Sequence, residues 1–272
     1  MKTLKHHTLL YDTNCPLCAA YTKGFIQSGM LDQEGRTAFE TGIERYGNIV
    51  DINRSRNEIA LVNTETHSVL YGVDSLNYII TQRFPFLKRL LNHSLILLFL
   101  KQLYAFISFN RKVIAPSPDY SRQVCVPDFN LPYRLLYLIL SAALTSGILL
   151  RYSALLHDVV PTSNLFREYA ICFGQIGFQA SLLVLFRMRK ETLFDYLGNM
   201  MTVSLIGGLL LLPVLMLKPY VALPSYVSLT WFLAVLAFMF RQHRRRLSSI
   251  KAPAWLSYTW VLYLGLVLLF IF

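Results

Sequence analysis

From Leu135 onward the chain is dominated by five long apolar runs, 135–150, 169–186, 196–217, 219–240 and 252–272, and none of them contains Asp, Glu, Lys or Arg. A helix needs about 20 apolar residues to cross a bilayer, with a range of roughly 17–25. Four runs meet that length directly. The first is short, but Tyr133, Arg134 and the segment from Arg151 to Leu156 extend it, with the arginines reaching back to the headgroups. A soluble helical core is excluded on pattern, because soluble helices bury one stripe and keep a charged face. The expectation is five membrane spans in a multi-pass protein.

The formal net charge is +11, and its placement points to a membrane rather than to nucleic acid. "RMRK" (187–190) and "RQHRRR" (241–246) lie between apolar runs, as cytoplasmic loops do under the positive-inside rule. One side collects Arg111, Lys112, Arg122, Arg134, Arg187, Arg189, Lys190, Arg241, Arg244, Arg245, Arg246 and Lys251. The other collects Arg151, Arg167 and Lys218, a bias of twelve to three. This places the N-terminal residues in the cytoplasm, at the cytoplasmic membrane. The opening "MKTLKHHTLLYD" lacks the apolar stretch of a signal peptide, in agreement with that orientation.

Residues 1–124 have the mixed composition of a soluble domain. "HTLLYD" (7–12) reads as a buried strand and "CPLCAAYTKGFIQSG" (15–29) as a helix, with Pro16 suited to its first turn and Gly29 to its end. "GRTAFE" (35–40), "NEIALVN" (57–63) and "SVLYGV" (68–73) read as strands. "TGIERYG" (41–47) reads as a short helix or turn, and "DSLNYIITQRF" (74–84) as a helix capped by Asp74. The order strand, helix, strand, helix, strand, strand, helix is thioredoxin-like, with helices on both faces of a small mixed sheet. Residues 92–109 form an apolar helix interrupted by Lys101, expected on the membrane surface or packed on the domain. The expected organisation is α/β: a thioredoxin-like domain over 1–114, a proline-rich linker over 115–132, and an all-α transmembrane region over 133–272.

"YDTNCPLC" (11–18) carries the chemistry. A C-x-x-C where a strand feeds a helix places the first thiol at free backbone N–H groups and at the positive end of the helix dipole, and both favour thiolate. Cys15 is therefore the expected nucleophile and Cys18, one turn on, the expected resolving thiol. In a reducing compartment such a pair points to catalysis or metal rather than to a structural staple. Zinc wants four ligands, and Cys125, Cys172 and six histidines offer no second pair with metal spacing. No metal or other cofactor is expected. Two buried thiols without chemistry are the remaining alternative. Asp12 is either a cap that accepts backbone N–H groups near Cys15 or the proton acceptor for Cys18.

The same residues resemble the D-x-x-C-P-x-C signature of the DCC family, thiol–disulfide oxidoreductases with a thioredoxin-like fold. Asp12, Cys15, Pro16 and Cys18 match it. "IALVNTETHSVLYGVDSLNYII" (59–80) is similar to the family's strand-turn-strand and helix start. Tyr104, Ile107, Asn110 and Arg111 resemble its Y-x-x-I-x-x-N-R segment. The likeness covers roughly the first 115–125 residues. It implies a thiol–disulfide oxidoreductase, acting on a dithiol or disulfide protein or a small thiol, with Asp12, Cys15 and Cys18 as its site. The sequence departs from thioredoxins in having no proline between Pro16 and Pro85, where a cis-proline helps dock substrate. A non-catalytic, partner-binding scaffold is the alternative. Asn110 and Arg111 are expected to fix the end of their helix or meet the membrane surface rather than bind substrate.

Within the apolar runs, Gln175, Gln179 and Asn199 are expected to make interhelical hydrogen bonds. The small pairs Ala143/Gly147 and Ser204/Gly208 should permit close helix contact, and Gly207, Gly208 and Pro213 should bend the third run. Cys172 stands alone there, so no thiol relay through the bilayer is expected.

Overall fold

The structure, a computed structural model, describes residues 3–117, 125–161, 163–221 and 223–271. Arg122 and the surrounding part of the predicted linker lie outside the described residues. The chain divides into two compact units, Met1–Tyr133 and Arg134–Phe272.

The first unit is built on four strands: β1 (His7–Tyr11), β2 (Arg36–Ala38), β3 (Ala60–Asn63) and β4 (Val69–Tyr71). They lie in the order β2-β1-β3-β4. β1 pairs parallel with β2 and antiparallel with β3, and β3 pairs antiparallel with β4. Alternation along the strands sends side chains to two faces. Leu9 and Leu61 face one side, where Ile79 and the flanking Tyr21, Phe25 and Tyr104 cover them. Leu10, Ala60 and Val62 face the other, against Phe39 and Val50. Leu9 and Val62 are fully buried, and truncating such a leucine to alanine typically costs about 2–5 kcal/mol.

Six helices accompany the sheet: α1 (Pro16–Gln27), α2 (Phe39–Tyr46), α3 (Ile52–Asn57), α4 (Gly72–Arg83), the single turn α5 (Lys88–Leu91) and α6 (Ser94–Ile114). α1 ends as Gly29 predicts. Gly29 takes φ +68°, and the N–H groups of Gly29 and Met30 return to Ile26 O and Phe25 O at 2.9 Å. That pairing satisfies the last carbonyls, and the positive φ favours glycine.

Four local expectations change. The fourth strand stops at Tyr71, because Gly72 and Val73 already belong to α4. The second strand stops at Ala38, because Phe39 and Glu40 already belong to α2. Residues 57–59, expected in the third strand, are displaced by α3, whose first turn is capped by Asp51 Oδ1 accepting from Arg54 N–H at 3.0 Å. Asp74 is not a cap: α4 begins at Gly72, and Asp74 sits in its first turn, paired with Lys101 Nζ of α6 at 3.3 Å.

α6 is longer than the predicted 92–109 segment, and one of its faces packs on the domain. Ile59 N–H donates to Tyr104 Oη at 2.8 Å, Ser108 Oγ donates to Asn57 O, and Arg111 Nη2 donates to Arg56 O at 3.1 Å. The backbone just ahead of β3 is thus held by α6 side chains. Asn110 fixes its own helix as expected, donating to Phe106 O at 2.9 Å and to Tyr133 O at 3.0 Å.

The second unit is helical: α7 (Leu131–Ser153, which begins in the first unit), α8 (Leu165–Leu185), α9 (Lys190–Leu217), α10 (Ser225–Ser249) and α11 (Trp255–Ile271). α7, α8 and α9 are long and apolar enough to cross a membrane. α10 carries the basic "RQHRRR" segment in its last turns, and α11 has 17 residues. Polar groups are matched across helices. Arg246 Nη1 donates to Asn199 Oδ1 at 3.0 Å, and Thr259 Oγ1 donates to Gln179 Oε1 at 3.1 Å. Tyr152 Oη donates to Ser228 O at 2.7 Å. Buried Arg134 and partly buried Asp195 form an ion pair at 3.2 Å. Gln175 departs from expectation, because its Nε2 is buried with no hydrogen-bond partner among the described residues. At Gly208 a Cβ would lie 3.4 Å from Ile148 Cδ1 and 3.8 Å from Thr145 Cα. That is the close α7–α9 contact a small residue permits. α9 stays helical through Pro213.

Candidate active site

β1 delivers the chain to the site. After Tyr11 the backbone turns on Asp12, whose Oδ1 accepts the Asn14 N–H at 2.9 Å while its carbonyl accepts the Cys15 N–H at 3.2 Å. This is an Asx turn, with the side chain substituting for a backbone acceptor. It sets the extended conformation at Cys15 (φ −91°, ψ 109°) from which α1 starts, and Pro16 follows at the first helical position.

The cap of α1 is Cys15 itself. Its Sγ accepts the Cys18 N–H at 3.4 Å, taking one of the donors left unpaired at a helix start. Asp12 accepts backbone N–H groups beside Cys15, in the turn that leads into the helix, while Cys15 occupies the cap position itself. Cys18 lies one turn in, and its carbonyl accepts from Thr22 Oγ1 at 2.8 Å. Both cysteines are free thiols. They are almost equally buried, at 4% and 5% exposure, so accessibility does not separate them.

Charge separates them. Cys15 is lowered to about 6, first by a hydrogen bond from the Cys18 thiol, then by the Cys18 N–H and the positive charge of Arg111, against burial and the Asp12 charge. Cys18 moves far the other way, because its proton is engaged by Cys15 and because it is buried. Burial also raises Asp12, opposed by the Asn14 N–H and by Arg111. The result is a thiolate-forming sulfur and a proton-retaining sulfur beside a carboxylate whose pKa burial raises, all in one cluster.

Arg111 was expected to fix a helix end or to meet the membrane surface, and it lies in the last turn of α6. It is 8% exposed, with Nη2 donating to Arg56 O and to both the carbonyl and the sulfur of Cys125. Among the described residues no carboxylate pairs with it, and the thiols of Cys15, Cys18 and Cys125 are the main groups that reinforce its charge. Cys125 was missed. It is buried, its Sγ lies 3.6 Å from Ser55 O, and desolvation raises its pKa. The signal for Arg111 was present in the Asn110–Arg111 pair of the resembling segment. Nothing local in sequence marks Cys125, which is far from the motif along the chain.

Among the described residues, no three or more His, Cys, Asp or Glu side chains gather where they could hold a metal ion. Comparison with protein-family models, with curated proteins and with solved structures gives no match to this chain.

Proposed function

We propose that this chain is a membrane-anchored thiol–disulfide oxidoreductase of the DCC type, with Cys15 as nucleophile and Cys18 as resolving thiol. The observation that carries the reading is the placement of the Cys15 sulfur at the open end of α1, on the Cys18 N–H. The sheet order β2-β1-β3-β4, with one parallel and two antiparallel pairings and helices on both faces, supports a thioredoxin-like domain. The apolar helices support the anchor. The five runs and their charge bias support five spans with the first unit in the cytoplasm.

In this reading the Cys15 thiolate attacks one sulfur of a substrate disulfide. An S–S bond forms to Cys15, and the other substrate sulfur leaves as a thiolate and takes up a proton. Cys18 then loses its proton and attacks the Cys15 sulfur, which releases the second substrate thiolate. The substrate gains two electrons, and the Cys15–Cys18 pair becomes a disulfide. A separate dithiol donor must return it to the reduced state. Asp12, whose charge acts on Cys18, is the proton acceptor in the second step.

The burial of both sulfurs favours a second reading, in which the domain only binds a partner. Insulin reduction by the full chain in nanodiscs, with dithiothreitol as donor, separates the two. Turnover above the Cys15→Ser control supports the enzyme, and equal rates support the scaffold.

A further inference from the structure

α6 has two apolar sides and the domain uses only one. Tyr104, Ser108 and Arg111 face inward, as their bonds to the backbone of residues 56–59 show. On the opposite arc stand Leu95, Leu98, Phe99, Leu103 and Ile107, spaced at three and four residues, so they form one stripe along the helix. All five are exposed, Leu95 at 70% and Phe99 at 65%. The stripe continues onto the preceding turn, which meets α6 at 86° and exposes Leu90 and, at 76%, Phe86. A contiguous apolar patch of this kind is uncommon on a surface left in water and marks a contact.

The charge around the patch selects the contact. Between Asp74 and Asp119 the sequence has no acidic residue, while Arg83, Lys88, Arg89 and Lys112 are basic, besides Lys101, which pairs with Asp74, and Arg111, which is buried against the domain. Lys88 and Arg89 lie on the exposed turn beside Phe86 and Leu90. Apolar side chains with flanking basic groups suit an anionic phospholipid surface. The same chain continues into helices long and apolar enough to cross a membrane, so a bilayer is always within reach. α6 is not itself a span, because its inner face is bonded to the sheet domain and Lys101, halfway along it, is tied to Asp74.

We infer that the exposed face of α6 and the turn before it lie in the headgroup region of the bilayer, holding the first unit against the membrane surface through Phe86, Leu95, Leu98 and Phe99. This inference does not depend on the redox reading.

The test uses the full chain in liposomes of phosphatidylcholine and phosphatidylglycerol. An environment-sensitive fluorophore is placed at Leu98→Cys or Phe99→Cys, with Lys23→Cys on exposed α1 as the control. One background has the four native cysteines replaced by serine. A second keeps them and relies on their burial during brief labelling, so the result does not rest on one variant's folding. The expected result is blue-shifted emission at both α6 positions but not at position 23. Lipids with a quencher near the headgroup should quench it more than lipids with a quencher at the acyl end. Stronger quenching by the acyl-end label would make α6 a span and overturn the proposal. A blue shift without lipid quenching would mean that protein covers the face, whether a partner or a second copy, and would overturn it too. Emission as in water would do the same.

Discussion

The Cys18 N–H points at the Cys15 sulfur from 3.4 Å, so the donor that would otherwise be orphaned at the start of α1 acts on the reactive sulfur. With the Cys18 thiol and Arg111 it lowers Cys15 to about 6. Thiolate absorbance followed against pH should show one transition near that value, absent in Cys15→Ser. Cys18→Ala removes the thiol donor and should move the midpoint upward by about one pH unit or more. A midpoint unchanged by Cys18→Ala would mean that the thiol hydrogen bond does not set it.

The same shift makes folding pH-dependent. The folded pKa of Cys15 lies below its unfolded value, so the stability it contributes is fully present above about 9 and lost as pH falls through about 6. Cys18 is raised, so its contribution runs oppositely and fades only as pH climbs above the ordinary thiol range. Pulse proteolysis of the first unit should therefore show resistance declining from pH 9 to 6 more steeply in the native chain than in Cys15→Ser. Parallel profiles would remove Cys15 as the titrating group.

Division of labour between the thiols is tested by trapping. Cys18→Ser lacks the resolving sulfur and should accumulate a mixed disulfide through Cys15, visible by non-reducing electrophoresis. Cys15→Ser should accumulate little. Equal trapping by both variants would reverse or abolish the assignment.

Arg111→Met should raise the Cys15 midpoint, because a positive charge that favours thiolate is gone. It should also destabilise the first unit by about 1–3 kcal/mol, since Arg56 O and Cys125 O lose a buried donor. Arg111→Lys keeps the charge but not the fork. It should recover the midpoint better than the stability, as read by the same titration and by proteolysis.

For Asp12, Asp12→Asn retains an oxygen that can accept the Asn14 N–H, so the turn should survive with little change in stability. If the carboxylate accepts the Cys18 proton, the resolving step should slow when followed by stopped-flow release of a thiol from a mixed disulfide. Asp12→Ala should lose the turn as well, at about 1 kcal/mol. An unaltered rate in Asp12→Asn would leave Asp12 a turn residue.

Much of the first unit was legible because its strands are short apolar runs bounded by polar turns, and because Cys15, Pro16 and Gly29 have local meanings at helix ends. α3 was not legible. "INRSRN" has no apolar period, and its helix rests on the Asp51 cap and on Tyr71 Oη, which accepts the Asp51 N–H at 2.8 Å from across the fold. Arg111 escaped for a similar reason. A basic residue near a helix end ordinarily meets solvent or the helix dipole, and only the fold brings it beneath the thiols. In the second unit the apolar runs marked where helices lie, but not their bounds: the basic 241–246 segment, expected as a loop, is part of α10, and the partners of Asn199 and Gln179 depended on packing that no run of residues encodes.

The grip of α6 on residues 56–59 has a consequence for that segment. Arg56 O, Asn57 O and Ile59 N–H are each occupied by a side chain of the protein itself. A visiting group that reached for these backbone atoms would have to evict Tyr104, Ser108 or Arg111 first, so loosening α6 would leave three partly buried polar groups ahead of β3 without partners.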